Sequence, residues 1–403
     1  MPSQGHPFLL RTIVAALLTC AASAQAEQGP SITISGFGTA AATMTDNADV
    51  EFARANQVRG ASDQPRSYID SNLGLQATAT INERLSLTAQ GMARQYGEPG
   101  FGADLTLAFA KLKVSDDFAV RVGRLGLPVY MVSDFRSVGY ANTMLRPSGE
   151  VYGQVVNDTV DGVDVLYQHA FGDTAITAQL GFGHSNADLR DGAEFILRKS
   201  LVFNVLAERG PFTVRAAYSQ TDVTLRGITP LDGLVATLRE VGMAQVADDL
   251  DFTHVPGKFS SLGFTMDHNN VLIQAELAKR EAKSRLLIES TTSWYTMLGY
   301  RMGKFTPYYY YGDTRQNGGR DYAGVPTDGP LAGLGFAVQS LVKAPQQSSH
   351  AVGLRWDFHK SAALKVQIDR ITPRDGAGLL TPIKPDFHNT PVHVAAVGID
   401  FVF

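Results

Sequence analysis

Charged side chains recur at one parity of otherwise alternating stretches in this sequence. Arg66, Asp70, Arg94, Arg121, Arg215, Glu276 and Arg301 fall on that side, and the segment 125–158 adds Asp134, Arg136, Arg146, Glu150 and Asp158. Arginines on strands two, three and five facing loop carboxylates would set up a transverse field, which orients dipolar solutes and sorts ions by sign. The plainer role of the same arginines is to keep an interior wall wet and to pair with neighbouring carboxylates. For Asp134 and Glu150 the plain alternative is an ordinary solvated loop. None of these groups sits in a pattern that makes or breaks covalent bonds. There is no Gly-x-Ser-x-Gly elbow, no His-Glu-x-x-His pair and no phosphate-cradling glycine loop. His350 and His359 lack metal-ligand spacing. No catalytic residue, cofactor or metal site is assigned, and the chain reads as a non-enzyme.

Aromatic residues form a second cluster. Tyr308 to Tyr311 are consecutive, and Trp294, Tyr295 and Tyr300 lie just before them. The favoured reading is a girdle at the headgroup level of a bilayer, where amphipathic rings collect. The alternative is an inward track for sugars or aromatic solutes, since two of the four tyrosines must face inward. Leu231 to Leu250 switch to helical spacing, with Leu234, Leu238, Val241 and Val246 along one face. That segment reads as a loop helix on a rim, with a plug reaching inward as the sharper option. Residues 332–341 give a second short helix.

The elements that position these residues alternate with period two. Leu85, Leu87, Ala89, Gly91 and Ala93 interleave with Arg84, Ser86, Thr88, Gln90, Met92 and Arg94. The same template predicts strands at 31–44, 67–81, 84–96, 103–115, 118–125, 159–170, 174–184 and 198–208. It continues at 211–222, 258–268, 271–282, 291–303, 305–314, 347–358, 362–371 and 391–403. In 103–115, Lys111 and Lys113 share parity with Leu105 and Leu107, which a β-bulge would reconcile. Turn pairs such as Asn82-Glu83, Gly172-Asp173 and Asn269-Asn270 alternate with long polar connections along the chain. Short turns on one side and long loops on the other are what an up-and-down transmembrane β-barrel requires. In hydrocarbon each unpaired backbone group costs several kcal/mol, so the first and last strands must meet.

The first residues add a compartment. Phe8 to Leu18 is apolar, Ala24-Gln25-Ala26 is a small-residue cleavage site, and 1–26 therefore reads as a cleaved secretory signal. Residues 27–403 remain as one barrel domain. The single cysteine, Cys20, falls in the leader, so no disulfide is expected. No apolar stretch after it is long enough to cross a membrane as a helix. The net charge of −4 argues against a nucleic-acid partner.

Three segments carry a resemblance. Val397-Gly398-Ile399-Asp400-Phe401-Val402-Phe403 resembles the terminal strand of Gram-negative outer-membrane barrels. Ile34-Ser35-Gly36-Phe37-Gly38-Thr39 resembles the opening strand of general porins. Residues 112–124, Leu112 to Arg124, are similar to the porin hairpin that precedes an inward-folded third loop, here about 125–158. The resemblance implies a sixteen-stranded homotrimeric barrel set among outer-membrane lipid and lipopolysaccharide. It also implies that the barrel-assembly machinery reads Phe403. The segment 125–158 lacks the family's densely acidic stretch, and the connections 223–257 and 315–346 are unusually long.

The reading is an outer-membrane channel for passive diffusion of small hydrophilic solutes and ions. Its alternatives are a channel selective for a sugar, carboxylate or aromatic compound, and a plugged barrel that serves as anchor or adhesion surface.

Overall fold

The computed structural model describes residues 30–97, 100–189, 192–282, 290–319 and 321–403. The expected signal segment 1–26 lies outside the described residues. Sixteen antiparallel strands close into one barrel. In chain order they are β1 Ser31–Thr45, β2 Asn72–Thr80, β3 Leu85–Arg94, β4 Gly102–Lys113, β5 Phe118–Gly126 and β6 Thr159–Phe171. Next come β7 Thr174–Asp188, β8 Glu194–Arg209, β9 Phe212–Arg226, β10 Val255–His268 and β11 Val271–Ala282. The series ends with β12 Thr291–Tyr300, β13 Phe305–Gln316, β14 Gln346–His359, β15 Ala362–Arg374 and β16 Val392–Val402.

Each strand pairs with its sequence neighbours, and β1 pairs with β16 from Phe37↔Val402 to Thr45↔Val394. The Gly36 amide donates to the Phe403 carbonyl at 2.9 Å, and the Phe403 amide donates back at 3.0 Å. No barrel edge is left unpaired, which is the condition for crossing hydrocarbon. At the Asn269-Asn270 turn both residues have positive φ, 49° and 69°. That is the backbone a two-residue hairpin with right-twisted strands demands, and asparagine tolerates it.

Alternation places apolar side chains outward and polar ones inward. Ile34 on β1 is 64% exposed and Leu75 on β2 is 53% exposed, as are comparable residues around the ring. Such a band is costly in water and favourable in lipid. The β3–β4 ladder slips between Gln90 and Gly91. Beyond the slip Lys111 opposes Ser86, on the inward parity, while Leu105 opposes Gly91 on the outward one. This bulge reconciles the parity conflict for Leu105 only; Leu107, opposite Gln90, stays on the inward parity with Lys111. Several boundaries differ from expectation: β7 runs to Asp188, β8 begins at Glu194 and β9 runs to Arg226, each about four residues longer at the loop side, while β2 begins at Asn72 rather than at 67, because 67–71 turn and bury Asp70 and Ile69.

Among the described residues four α-helices lie in the connections: α1 Gly149–Tyr152, α2 Thr229–Glu240, α3 Ala244–Asp249 and α4 Ala332–Leu341. Leu238, Val246, Ala247 and Leu250 pack with Val338 and Val342, so α2, α3 and α4 form one small apolar cluster among the long loops. The connection after β1 and the one after β15 are joined by a two-residue ladder, Thr381↔Glu51 and Pro382↔Val50.

Candidate functional site

The connection 127–158 folds into the barrel. Its start, Leu127-Pro128-Val129-Tyr130-Met131-Val132, is an apolar run with no place in water. Inward residues of the far wall receive it: Phe259 on β10, Tyr295 and Met297 on β12, Tyr308 and Tyr310 on β13. Tyr130 stacks on Tyr152 with ring centroids 4.5 Å apart and meets Phe259 edge-on at 5.2 Å. Gly263 is required there, since a Cβ would lie 2.8 Å from the Met131 side chain.

Hydrogen bonds fix the loop at both ends of this contact. The Met131 amide donates to Glu276 Oε1 at 2.9 Å, and Tyr152 donates to Glu276 Oε2 at 2.9 Å. Ser261 donates to the Val129 carbonyl at 2.6 Å. Further along, the buried Lys365 ammonium donates to the carbonyls of Gly139, Asn142 and Met144, and it also pairs with Asp400 at 2.8 Å. The loop thus covers the wall from β10 to β16 and leaves the β2–β7 side less covered.

The tyrosine run divides by parity into two roles. Tyr309 is exposed, as are Trp294 and Tyr300 on β12, in keeping with an outer girdle. Tyr308, Tyr310 and Tyr295 point inward but lie buried beneath the loop. They therefore anchor the loop and form no open solute track.

Each sequence-predicted charge now has a place. Asp70 is buried; it accepts from Thr43 Oγ1 and forms a bidentate pair with Arg146 at 2.7 and 3.0 Å. Arg94 pairs with Asp158 at 2.7 Å, and Arg136 reaches the same oxygen at 3.2 Å. Arg121 forms a bidentate pair with Asp164 of β6. Arg215 is buried and pairs with Asp134 at 2.9 Å. Glu150 is buried in α1, where Tyr310, Ser349 and Gln347 donate to it at 2.5, 2.5 and 2.7 Å. Arg301 lies at the short-turn rim with Asp267 at 2.8 Å, away from the loop. Arg66 is exposed on the connection before β2, bridged through its backbone to Thr43.

The arrangement differs from strand arginines standing across a gap from loop acids. Arg94 is in contact with Asp158, and Arg146 runs the other way, from the loop to the wall acids Asp70 and Asp369. Burial raises the Asp158 carboxyl, but the charges of Arg94 and Arg136 outweigh that and hold it at about 2. Asp70 is likewise held below the usual carboxylate range: burial opposes the shift, and Arg146 and Arg54 prevail.

Above this network lies a cavity of ≈ 340 Å³ between the inward loop, the connections after β1 and β15, and the ends of β2 and β3. Arg54, Arg94, Arg136 and Arg146 line it, as do Phe52, Ile69, Met92, Tyr96 and Leu380. Burial lowers the pKa of Arg54, Asp70 opposes this, and Arg146, Arg136 and Arg94 add mutual repulsion. Sequence reasoning missed Arg54, Gln95, Asp164, Lys365 and Asp369. The last two share the polar parity of 362–371 with Gln367 and were legible there, whereas Arg54 lies in a stretch with no period.

The family model of Gram-negative porins matches residues 12–376. No curated protein matches the chain. Among solved structures it is similar to the outer membrane channel DcaP of Acinetobacter baumannii, at 11% identity over 95% of this chain and 100% of that one, with a TM-score of 0.56. An in-vitro folded OmpT of Vibrio cholerae, in trimer form, gives 13%, 93%, 100% and 0.55. An anion-selective porin from Comamonas acidovorans gives 14%, 93%, 100% and 0.53. At these identities the likeness concerns the fold.

Proposed function

The chain belongs to the Gram-negative porin family, and on that premise we propose that it passes small hydrophilic solutes and ions by passive diffusion across the outer membrane. The observation that carries this reading is the asymmetry of the lumen. The inward loop covers the β10–β16 wall, while Gln76, Thr78, Thr88, Gln90, Lys111 and Arg121 on β2 to β5 stay half-buried on the inward parity. A polar, partly wet wall beside a fixed loop is the physical requirement for a constriction. The paired charges Arg94–Asp158 and Arg121–Asp164 belong to that wall, and no covalent chemistry enters the reading.

The anchor or adhesion alternative gains little from the long loops. Helices α2, α3 and α4 pack on one another, and none of their residues lines the cavity above the inward loop. Assembly as a homotrimer is part of the proposal. Ala77, Ala79, Ala89, Gly91, Ala93, Ala103, Ala108 and Ala110 share the outward parity of β2, β3 and β4 with Leu73, Leu75, Leu87 and Leu105, an apolar face rich in small residues that a second copy would cover. Lipid and lipopolysaccharide would cover the remaining outer band, and Phe403 at the closing seam is where the barrel-assembly machinery would act. Liposome swelling in graded sugars tests the diffusion reading: entry that falls smoothly with solute size supports it, and exclusion of even the smallest sugar by folded barrels contradicts it.

A further inference from the structure

The cavity above the inward loop holds polar groups that the fold itself does not use. Both side-chain heteroatoms of Gln95, Oδ1 of Asn72 and Nε of Arg94 are buried and have no hydrogen-bond partner among the described residues. All three residues line the cavity, and Gln95 is only 2% exposed. A buried polar atom left unsatisfied is costly, so four around one cavity ask for an occupant.

The surroundings define that occupant. Arg54 lines the same cavity with its guanidinium 3.9 Å from the nearest carboxylate oxygen, that of Asp70, so its donors are not committed to a close pair. Asp70 itself is engaged bidentately by Arg146. A guanidinium with free donors recognises a planar oxyanion. Gln95 offers a further donor, while its carbonyl and that of Asn72 call for a hydroxyl or amino donor. Phe52, Ile69, Met92 and Leu380 supply apolar wall, which inorganic phosphate cannot use.

We propose that this cavity, lined by Arg54 and by Gln95, Asn72 and Arg94 with their unpartnered buried atoms, binds a small hydroxyl-bearing organic carboxylate with an apolar body. The carboxylate meets Arg54, the hydroxyl donates to one of the Asn72 and Gln95 carbonyls, and the hydrocarbon lies against Phe52 and Leu380. The proposal deepens the channel reading and rests on it for the solute's route, though not for its binding.

The test uses 4-hydroxybenzoate with the folded barrel in detergent, by titration calorimetry, and in planar bilayers by block of chloride current. Saturable binding and saturable block are expected. Arg54→Gln weakens both about tenfold, the loss of one charged contact; Gln95→Leu serves as a second variant should the first fail to show a heat-modifiable fold. Arg239→Gln, in the loop helices, leaves binding unchanged. Sodium phosphate and 4-hydroxybenzyl alcohol fail to displace the probe. No saturable binding to a conducting barrel overturns the site and leaves the channel reading standing. Equal binding of the neutral alcohol, or no effect of either variant in folded protein, overturns it too. Arg54-dependent binding to a barrel that passes no current upholds the site and overturns the channel reading.

Discussion

The backbone amide of Met131, at the start of the inward loop, donates to Glu276 Oε1 on β11 across the lumen at 2.9 Å. Tyr152, near the loop's end, donates to the other oxygen of the same carboxylate. One side chain thus fastens both limbs of the loop. Glu276→Ala removes the acceptor and leaves a buried amide and hydroxyl unpaired, at a cost of about 1–3 kcal/mol for each. The expected outcome is a folded barrel whose loop is loosened, seen as larger and noisier single-channel currents than wild type. Unchanged current would show that the apolar packing of Tyr130 and Met131 suffices alone.

The base of the loop gives a pH dependence with a definite sign. Asp158 is held at about 2, against an ordinary 3.8, by Arg94 and Arg136 in spite of burial. A carboxyl depressed on folding stabilises the folded loop fully above the unfolded value, and the contribution is lost as pH falls through the folded one. Channel conductance is therefore expected to hold steady down to about pH 4 and to change between there and about pH 2. Asp158→Asn at neutral pH is expected to reproduce the acid behaviour in bilayer recordings.

At the closing seam the Phe403 ring lies over Gly36, where a Cβ would fall 2.2 Å from its Cζ. Gly36→Val displaces the ring and strains the β1–β16 pairing by about 1–3 kcal/mol or more. The measurement is the heat-dependent band shift of outer-membrane fractions. A reduced yield of folded barrel is expected, and Gly36→Val combined with Phe403→Ala is expected to recover part of the folding of purified chain in detergent, where no assembly machinery acts.

A bulky side chain on the small-residue outer face tests assembly. Gly91→Trp projects from β3 between its cross-strand partners Leu75 and Leu105, where it would hold a second copy away. Cross-linking and native electrophoresis are expected to show trimers for wild type and monomers for the variant, with the barrel itself intact.

Much of this architecture was legible in the sequence because a barrel wall is a local pattern. Period two fixes which side of β3 is wet, and the alternation of short and long connections fixes the up-and-down order. The slip at Gln90 and Gly91 was visible as a clash of parity between Leu105 and Lys111. The site was less legible because its geometry comes from loops. Arg146 and Asp70 are distant in sequence and meet only after the loop folds inward, while Arg54 lies on a connection with no periodic signal. That two of the four tyrosines face inward was readable, but the burial of Tyr308 and Tyr310 beneath Leu145 and Ser148 was not.

The central claim is that the barrel conducts with its loop folded in. Single-channel recording of the folded chain in a planar bilayer tests it most directly, under a salt gradient. Stepwise, roughly ohmic currents in groups of three are predicted. A heat-modifiable, fully folded barrel that passes no current would contradict the account.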